Sequence, residues 1–376
     1  MKTKYLPLSL PLACVVSLNA FAQDGISPYV VDGNISQTNA IPWQVQVEGK
    51  KTLQVNGESV NVTYLCGGII LNANWVLTAA HCLANKNQSY VDTSRTVTIY
   101  SGSTLKGKGV SHAVSELIIH ESYSPVTVVN DIALIKINGD LKSGTPITLL
   151  DSEGQQSMDK AFANQWSGHN YNYNQDNEAT LLVSGWGNTV PLSSATEDDT
   201  SSRLRQALLI GVPDNACETT WGISLPDDLM ICAAKPVQHS NTSSCQGDSG
   251  GPLVWRDPSN TADIDKGMRL VGVVSFGTSN GCGVGEHPGV YTQVSNYLNW
   301  ISSKTGITVN QLTGANQYTF NIDPFVVKNE IGSDVVTVGD NSSTNQSLFS
   351  TEGGSTGLLS FLSLFIFASM RRIKKK

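Results

Sequence analysis

The stretch Cys245-Gln246-Gly247-Asp248-Ser249-Gly250-Gly251-Pro252 is the most informative run of this 376-residue chain. A serine hydroxyl is a weak nucleophile at neutral pH, so it needs a base and donors for the oxyanion it creates. Glycines on both sides of Ser249 let the backbone bend closely around a reacting carbonyl. The amides of Gly247 and Ser249 can then aim at one point. Two other segments supply the missing parts. Leu77-Thr78-Ala79-Ala80-His81-Cys82 offers an imidazole, His81. Asn130-Asp131-Ile132-Ala133-Leu134-Ile135 places a carboxylate at the head of an apolar strand. Buried there against the imidazole, Asp131 would hold its tautomer and stabilise the imidazolium. Ser249, His81 and Asp131 are therefore the candidate nucleophile, base and orienting acid.

These three segments, in the order His, Asp, Ser, resemble the chymotrypsin-like (trypsin-family) serine endopeptidases, over roughly residues 30–304. Gly185-Trp186-Gly187, Ser275-Phe276-Gly277 and Pro288-Gly289-Val290-Tyr291 fit the same resemblance, with Phe276 where the family usually has Trp. The resemblance implies an all-β fold: two packed six-stranded antiparallel β-barrels, with a C-terminal helix and a short extension. It implies peptide-bond hydrolysis through an acyl-enzyme, with Gly247 and Ser249 as the oxyanion hole. It also implies the pairings Cys66–Cys82, Cys217–Cys232 and Cys245–Cys282. Each would close a loop worth roughly 3–4 kcal/mol in the chain-entropy picture.

The family is made as a zymogen, and cleavage frees an α-ammonium that pairs with the Asp beside the nucleophile. Here that Asp is Asp248, and the new terminus is expected at Val30, after Tyr29. In trypsins the residue two before the cysteine of the serine motif is Asp, which selects Lys or Arg. This chain has Ser243, with Gly277 and Gly289 leaving the pocket walls open and Trp221 resembling chymotrypsin. A neutral slot accepts large apolar or aromatic side chains, so cleavage after Tyr, Phe, Leu or Trp is expected. Tyr29 agrees with that preference and suggests self-activation. Ser275 and Gly277 are expected to receive the substrate backbone.

The two ends read as export segments. Lys2 and Lys4, an apolar run over residues 6–18 and Ala20-Phe21-Ala22 make a signal peptide of residues 1–22, followed by a propeptide of residues 23–29. Residues 305–350 read as an extension or spacer. In residues 351–376, Gly353-Gly354-Ser355-Thr356-Gly357 precedes an apolar run over 358–370 and a basic end. That layout resembles the Gly-Gly carboxy-terminal sorting signals of certain Gram-negative secreted proteins. It implies a bacterial chain that is secreted or attached to the cell surface. Its short hydrophobic segment, as a transmembrane helix, would be a tight fit for a membrane. Export machinery and a tail-processing protease are the implied partners besides protein or peptide substrates, and the enzyme is expected to be a monomer.

Composition excludes other classes. The formal net charge is −7, and losing Lys2, Lys4 and the basic residues of 371–376 makes it more negative. Nucleic-acid binding, which wants a basic face, is not expected. Of seven cysteines, Cys14 leaves with the signal, and the remaining even set fits disulfides in an exported chain. No CxxC pair is present and the region after His81 lacks paired acids, so neither a metal nor a cofactor is expected. Short apolar runs separated by Gly, Asn and Ser suggest a barrel or sandwich. One helix is expected over 294–301, with Tyr297, Leu298 and Ile301 on one face. Residues 151–180 and 190–202 read as polar surface loops.

Two rival readings were open. Gly247-Asp248-Ser249-Gly250-Gly251 also fits the nucleophile elbow of serine esterases, and Asp263 and His287 would follow in the required order. No strand–elbow–helix pattern surrounds Ser249, however, and His81 and Asp131 would be left unexplained. A catalytically inert, surface-attached binding protein or adhesin on the same scaffold would usually lack one of the three residues. The remaining histidines, His112, His120, His169, His239 and His287, read as surface or packing residues.

Overall fold

The structure is a computed structural model, and it describes residues 33–55, 58–85, 88–166, 180–189, 200–226, 228–235, 242–278, 282, 287–328 and 335–337. Runs rich in Val, Ile, Leu and Thr become strands because branched side chains pack well on a pleated surface. After β1 (Asn34–Ile35), six strands close one barrel: β2 (Gln44–Val55), β3 (Glu58–Ile70), β4 (Trp75–Thr78), β5 (Thr96–Ser101), β6 (Val110–Ile119) and β7 (Ala133–Ile137). Their order around it is β2-β3-β4-β7-β6-β5, with β5 returning to β2 through Gln46↔Tyr100 and its neighbours. Val45, Val76, Ile99 and Ile135, none with any exposed surface, share one face of the paired strands and fill its interior. In β7 only Lys136 reaches solvent, while Leu134 on the same face is covered.

The second barrel is built from β8 (Leu181–Gly185), β9 (Arg205–Val212), β10 (Met230–Ala234), β11 (Pro252–Arg256), β12 (Met268–Phe276) and β13 (Gly289–Gln293). Pairing runs β9-β10-β13-β12-β11-β8, and β8 closes on β9. Leu181, Val183, Leu209, Leu253 and Val271 form its core. β8, β10 and β13 are buried at every position, on the barrel side and on the side covered by neighbouring elements. The fold is therefore the expected pair of closed six-stranded antiparallel barrels.

Disulfides Cys66–Cys82, Cys217–Cys232 and Cys245–Cys282 form in the pairing the resemblance implied. The first ties β3 to a one-turn helix, α1 (Ala80–Leu83), which carries His81. The second ties α3 (Asp214–Trp221) to β10.

Two segments differ from the sequence reading. The polar stretch after Asp151 holds a 14-residue helix, α2 (Ser152–Gln165), where a loop was expected. Asp151 caps it, accepting from the Gly154 amide at 2.8 Å. Only a thin stripe, Gln155, Met158 and Phe162, is buried, and Phe162 packs against Gly211 of β9. A stripe that narrow, within Asn, Gln and Ser, leaves little periodic signal.

The second difference lies at the C-terminal end. A 3-10 turn over Val294–Tyr297 runs into α4 (Leu298–Thr305), burying Tyr297, Leu298 and Ile301 as expected. The chain does not then leave the domain as a spacer. Thr308 and Gln311 form a reciprocal capping box on α5 (Val309–Thr313). Ile307, Leu312, Phe320 and Phe325 are all buried. Phe320 stacks edge-on against the fully buried Trp43, with ring centroids 4.8 Å apart. The Leu149 amide donates to Leu312 O at 2.8 Å, and Arg256 pairs with Asp323 at 3.1 Å. The strap 307–325 thus touches both barrels, because apolar residues spaced along an irregular path find cover that no period announces. Beyond it, β14 (Val326–Lys328) and β15 (Val335–Thr337) pair antiparallel.

Among the described residues no helix is long and apolar enough to cross a membrane. The signal peptide, the propeptide with Tyr29, Val30 at the start of the expected mature domain, and the sorting tail lie outside the described residues.

Candidate active site

His81 and Asp131 come from the first barrel and Ser249 from the second. Asp131 opens the segment leading into β7 and has no exposed surface. Asn130 before it adopts φ +57°, a left-handed conformation that Asn tolerates better than most residues. It is pinned there by donating to Ser122 O at 2.8 Å and accepting from the Tyr297 hydroxyl at 2.9 Å. The buried carboxylate receives three donors. His81 Nδ1 lies 2.7 Å from Oδ2, the His81 amide donates to Oδ1 at 2.9 Å, and the Ser275 hydroxyl donates to Oδ2 at 2.6 Å. A proton on Nδ1 satisfies the first contact and leaves Nε2 as the basic nitrogen.

The electrostatics follow from these contacts. Burial disfavours charge on Asp131, but the His81 charge, its hydrogen bonds and the Ser275 hydroxyl outweigh it and hold the carboxyl below its ordinary value. Burial likewise opposes a charged His81, yet Asp131 overcomes it and raises the imidazole above its ordinary value.

Ser275 was expected only to offer backbone to a substrate. Its side chain instead faces inward because the β12–β13 register shifts between Val274 and Phe276, a bulge that takes Ser275 out of the ladder. Nothing in the alternation of β12 announces that shift, so sequence reasoning missed this fourth polar partner.

Ser249 stands beside the pair. Its carbonyl accepts from the Gly67 amide at 2.7 Å and lies 3.6 Å from Cys82 Sγ, which is itself 3.9 Å from His81 Nε2. The Ser249 hydroxyl makes no hydrogen bond to His81 among the described contacts. Such contacts often tighten only when substrate is bound. Gly247 at φ +98° and Gly250 at φ +77° shape the turn, and β3 crosses so near that a Cβ on Gly67 would come within 2.7 Å of Gly251 Cα. Within the turn the Asp248, Gly250 and Gly251 amides donate to Cys245 O, Val274 O and Asp248 O. The Gly247 and Ser249 amides have no acceptor among the described residues, which leaves two donors side by side.

Asp248 points the other way, into the barrel. Its carboxylate accepts from the Gly187 and Cys245 amides at 2.7 and 2.8 Å. A side chain on Gly187 would displace it, since a Cβ there would lie 2.6 Å from Cγ. Burial nonetheless pushes its pKa up to about 7, with the two amides only partly offsetting that penalty.

Ser243, Gly277, Gly289 and Ser249 line one cavity of about 80 Å³, room for several waters and so for a side chain. Among the described residues no Asp, Glu, Lys or Arg lines it. Ser244 also faces it, its hydroxyl 3.4 Å from the buried Tyr291 hydroxyl. Trp221 is a correction: it does not line the cavity. Its ring stands edge-on behind Phe276 and His287, with centroids 5.5 and 4.9 Å away. Trp221 lies on α3, one layer outside the wall it supports, a distinction that distance along the chain cannot make. His287, read from sequence as surface or packing, lies at the cavity's edge. His112 is a packing residue, bonded to the Ser101 hydroxyl at 2.9 Å.

Cys66, Cys82 and His81 bring two sulfurs and an imidazole within 4.8 Å of one another. The sulfurs are bonded to each other, and a disulfide offers no thiolate, so this set does not suit a metal.

Two closed six-stranded barrels, with a His–Asp pair on one and a glycine-flanked serine on the other, define the chymotrypsin-like class of protein. The trypsin family model matches residues 30–301. Trypsin delta of Drosophila melanogaster is 33% identical over 307 residues, covering 80% of this chain and 98% of its own. Transmembrane protease serine 11B of Homo sapiens is 29% identical over 280 residues, covering 74% of this chain and 56% of its own. A solved HL collagenase structure aligns with a TM-score of 0.52 at 27% identity, over 74% of this chain and 99% of that one. The chain belongs to the trypsin family of serine proteases.

Proposed function

We propose that this chain is a secreted serine endopeptidase, made as a zymogen, that cleaves after large apolar or aromatic residues. The observation that carries the reading is the His81 imidazole held at 2.7 Å by a fully buried Asp131, next to a serine whose turn leaves two amides unused. His81 Nε2 takes the Ser249 proton as Oγ attacks the scissile carbonyl. The Gly247 and Ser249 amides stabilise the oxyanion. His81 then returns the proton to the leaving amine, and water repeats the sequence on the acyl-enzyme. Ser243 at the cavity wall, with no described carboxylate, supports a neutral preference; Glu286, an acid two residues before Pro288 that would favour Lys or Arg if it reached the pocket, lies outside the described residues.

For activation, a new α-ammonium at Val30 pairing with Asp248 would hold that carboxylate charged. Burial otherwise favours its protonated form. Cleavage after Tyr29 by the enzyme's own specificity fits the neutral slot. The signal peptide and the tail support export to the surface or the medium.

The test is cleavage of fluorogenic peptides that differ only before the cut, Tyr, Phe, Leu, Arg or Lys, with Ser249→Ala as control. Preference for Tyr or Phe that vanishes in Ser249→Ala supports the reading. Preference for Arg or Lys overturns the pocket assignment, and activity surviving in Ser249→Ala overturns the mechanism.

A further inference from the structure

Gly49 lies in the middle of β2, buried, and its backbone is not in the left-handed region. A glycine inside a strand weakens it and marks a place where another group approaches closely. Here that group is the side chain of Arg95: a Cβ on Gly49 would lie 2.5 Å from Arg95 Cδ. Across the ribbon Gly49 faces Tyr64 of β3, and Val47 faces Cys66. Tyr64 and Cys66 are two residues apart in one strand, so they share a face. The Arg95 guanidinium lies 4.1 Å from the centroid of the Tyr64 ring. Gly49 and Tyr64 thus leave a slot that Arg95 fills, beside the Cys66–Cys82 disulfide.

From this slot the guanidinium reaches the turn that carries His81. Nη1 donates to Cys82 O at 2.7 Å. Cys82 is near the end of α1, where carbonyls lack a partner within the helix, and an arginine suits such a carbonyl. Nη2 lies 3.5 Å from Asp92 Oδ2, which also accepts from Lys51 Nζ of β2 at 3.1 Å. Burial opposes a charge on Asp92, but hydrogen bonds from Ser94 and Lys51 outweigh it and hold the carboxyl below its ordinary value. Asp92 is anchored to α1 in turn, its amide donating to Leu83 O at 2.9 Å. The Arg95 side chain is 9% exposed, and its buried Nε finds no partner among the described residues. A residue kept for packing alone would avoid that cost; methionine fills an irregular slot without it.

Cys82 is therefore held at two points. The disulfide ties its Sγ to β3, and Arg95 ties its carbonyl to the same face of the ribbon. One tether leaves a turn free to pivot; two tethers on one residue remove that freedom. His81 immediately precedes Cys82, and its own amide donates to Asp131 Oδ1. We infer that Arg95 is a positioning residue for the reaction: its guanidinium, laid over Gly49 and Tyr64, fixes the His81 turn so that the imidazole stays between Asp131 and Ser249. Among the described contacts Arg95 touches none of these three side chains and acts through Cys82. This rests on the endopeptidase reading and adds a residue to the machinery of the same site.

The experiment uses the full chain produced with export. Arg95→Met removes the hold on Cys82 O and keeps the bulk. Gly49→Ala displaces Arg95 without removing any polar group. Arg95→Lys keeps a charge that can reach one acceptor but lacks the planar fork for two. In Arg95→Met and Gly49→Ala, kcat on a fluorogenic peptide should fall by about 10- to 100-fold, as for a catalytic group displaced by up to about 1 Å. KM should stay the same, because no substrate contact is removed. Arg95→Lys should recover part of the loss. In Ser249→Ala, the proton NMR line of His81 Nδ1–H, carried downfield by the 2.7 Å contact with Asp131, should broaden or move upfield when either substitution is added. Urea unfolding of the same proteins separates positioning from stability. Lowered stability with kcat and the NMR line unchanged overturns the inference, as does a loss confined to KM. If Arg95→Met does not fold, Gly49→Ala and Arg95→Lys decide. If the native chain cleaves no peptide, the endopeptidase reading falls, whereas an unmoved Nδ1 line overturns the positioning role alone.

Discussion

Asp131 and Asp248 are both fully buried, and their surroundings push them in opposite directions. Asp131 is charged because His81 and Ser275 donate to it, and it in turn raises His81. Activity that needs neutral His81 should therefore fall on the acid side at a pH above the ordinary histidine range. In Asp131→Asn the raising influences vanish and burial alone acts, so the acid limb of the kcat/KM profile should move to lower pH. kcat should also fall about 10⁴-fold as the imidazole loses its orienting partner. A pH–rate titration of both proteins checks this, and an unmoved limb would refute the assignment.

Asp248 gives the opposite sign. A carboxyl raised to about 7 keeps a proton in the folded state that the unfolded chain has already lost. Stability is then lost as pH rises from about 4 to about 7, by on the order of 1.4 kcal/mol per pH unit, and is flat above. Urea unfolding of the unprocessed Ser249→Ala chain, with and without Asp248→Asn, should show a difference that varies only in that window. If Val30 supplies the cation, the variation over that window should disappear in the processed chain, while Asp248→Asn should cost stability throughout by leaving the ammonium unpaired.

At the scale of elements, the strap 307–325 buries apolar residues that the fold depends on. Phe325 has no exposed surface and sits beneath the Arg256 guanidinium. Phe325→Ala should cost about 3–5 kcal/mol, the usual loss for a large buried aromatic. The strap touches no residue of the candidate triad, so the pH–rate profile should keep its shape. Chemical denaturation paired with kinetics separates the two effects. Truncation after Thr305 should be worse, because it uncovers Trp43 as well as removing Phe320 and Phe325.

Over the whole molecule, the site exists only where the barrels meet. His81 and Asp131 belong to one, Ser249 and Ser275 to the other, and Thr292 of β13 donates to Asp131 O at 2.8 Å across the joint. Cys66–Cys82 locks the His81 turn to β3, closing a sequence separation of 16. Replacing both with Ala should lower stability by roughly 3 kcal/mol, and a lowered urea midpoint measured on both forms checks it.

Much of this was legible in the chain alone. The glycine-flanked serine, the histidine beside Cys82 and the aspartate before β7 carry chemistry in their residue types. Their order with the cysteine spacing fitted one family and so one pair of barrels. Short branched runs marked most strands because local steric preference and burial agree there. What the chain alone did not disclose depends on which surfaces meet. The α2 stripe is too narrow to show a period, and the strap's apolar residues follow no period. Ser275 reaches Asp131 through a register shift, and Trp221 stands one layer behind the wall it seemed to form. Residue chemistry and local propensity are written along the sequence; contact between segments far apart in the chain is decided only when the barrels close and pack.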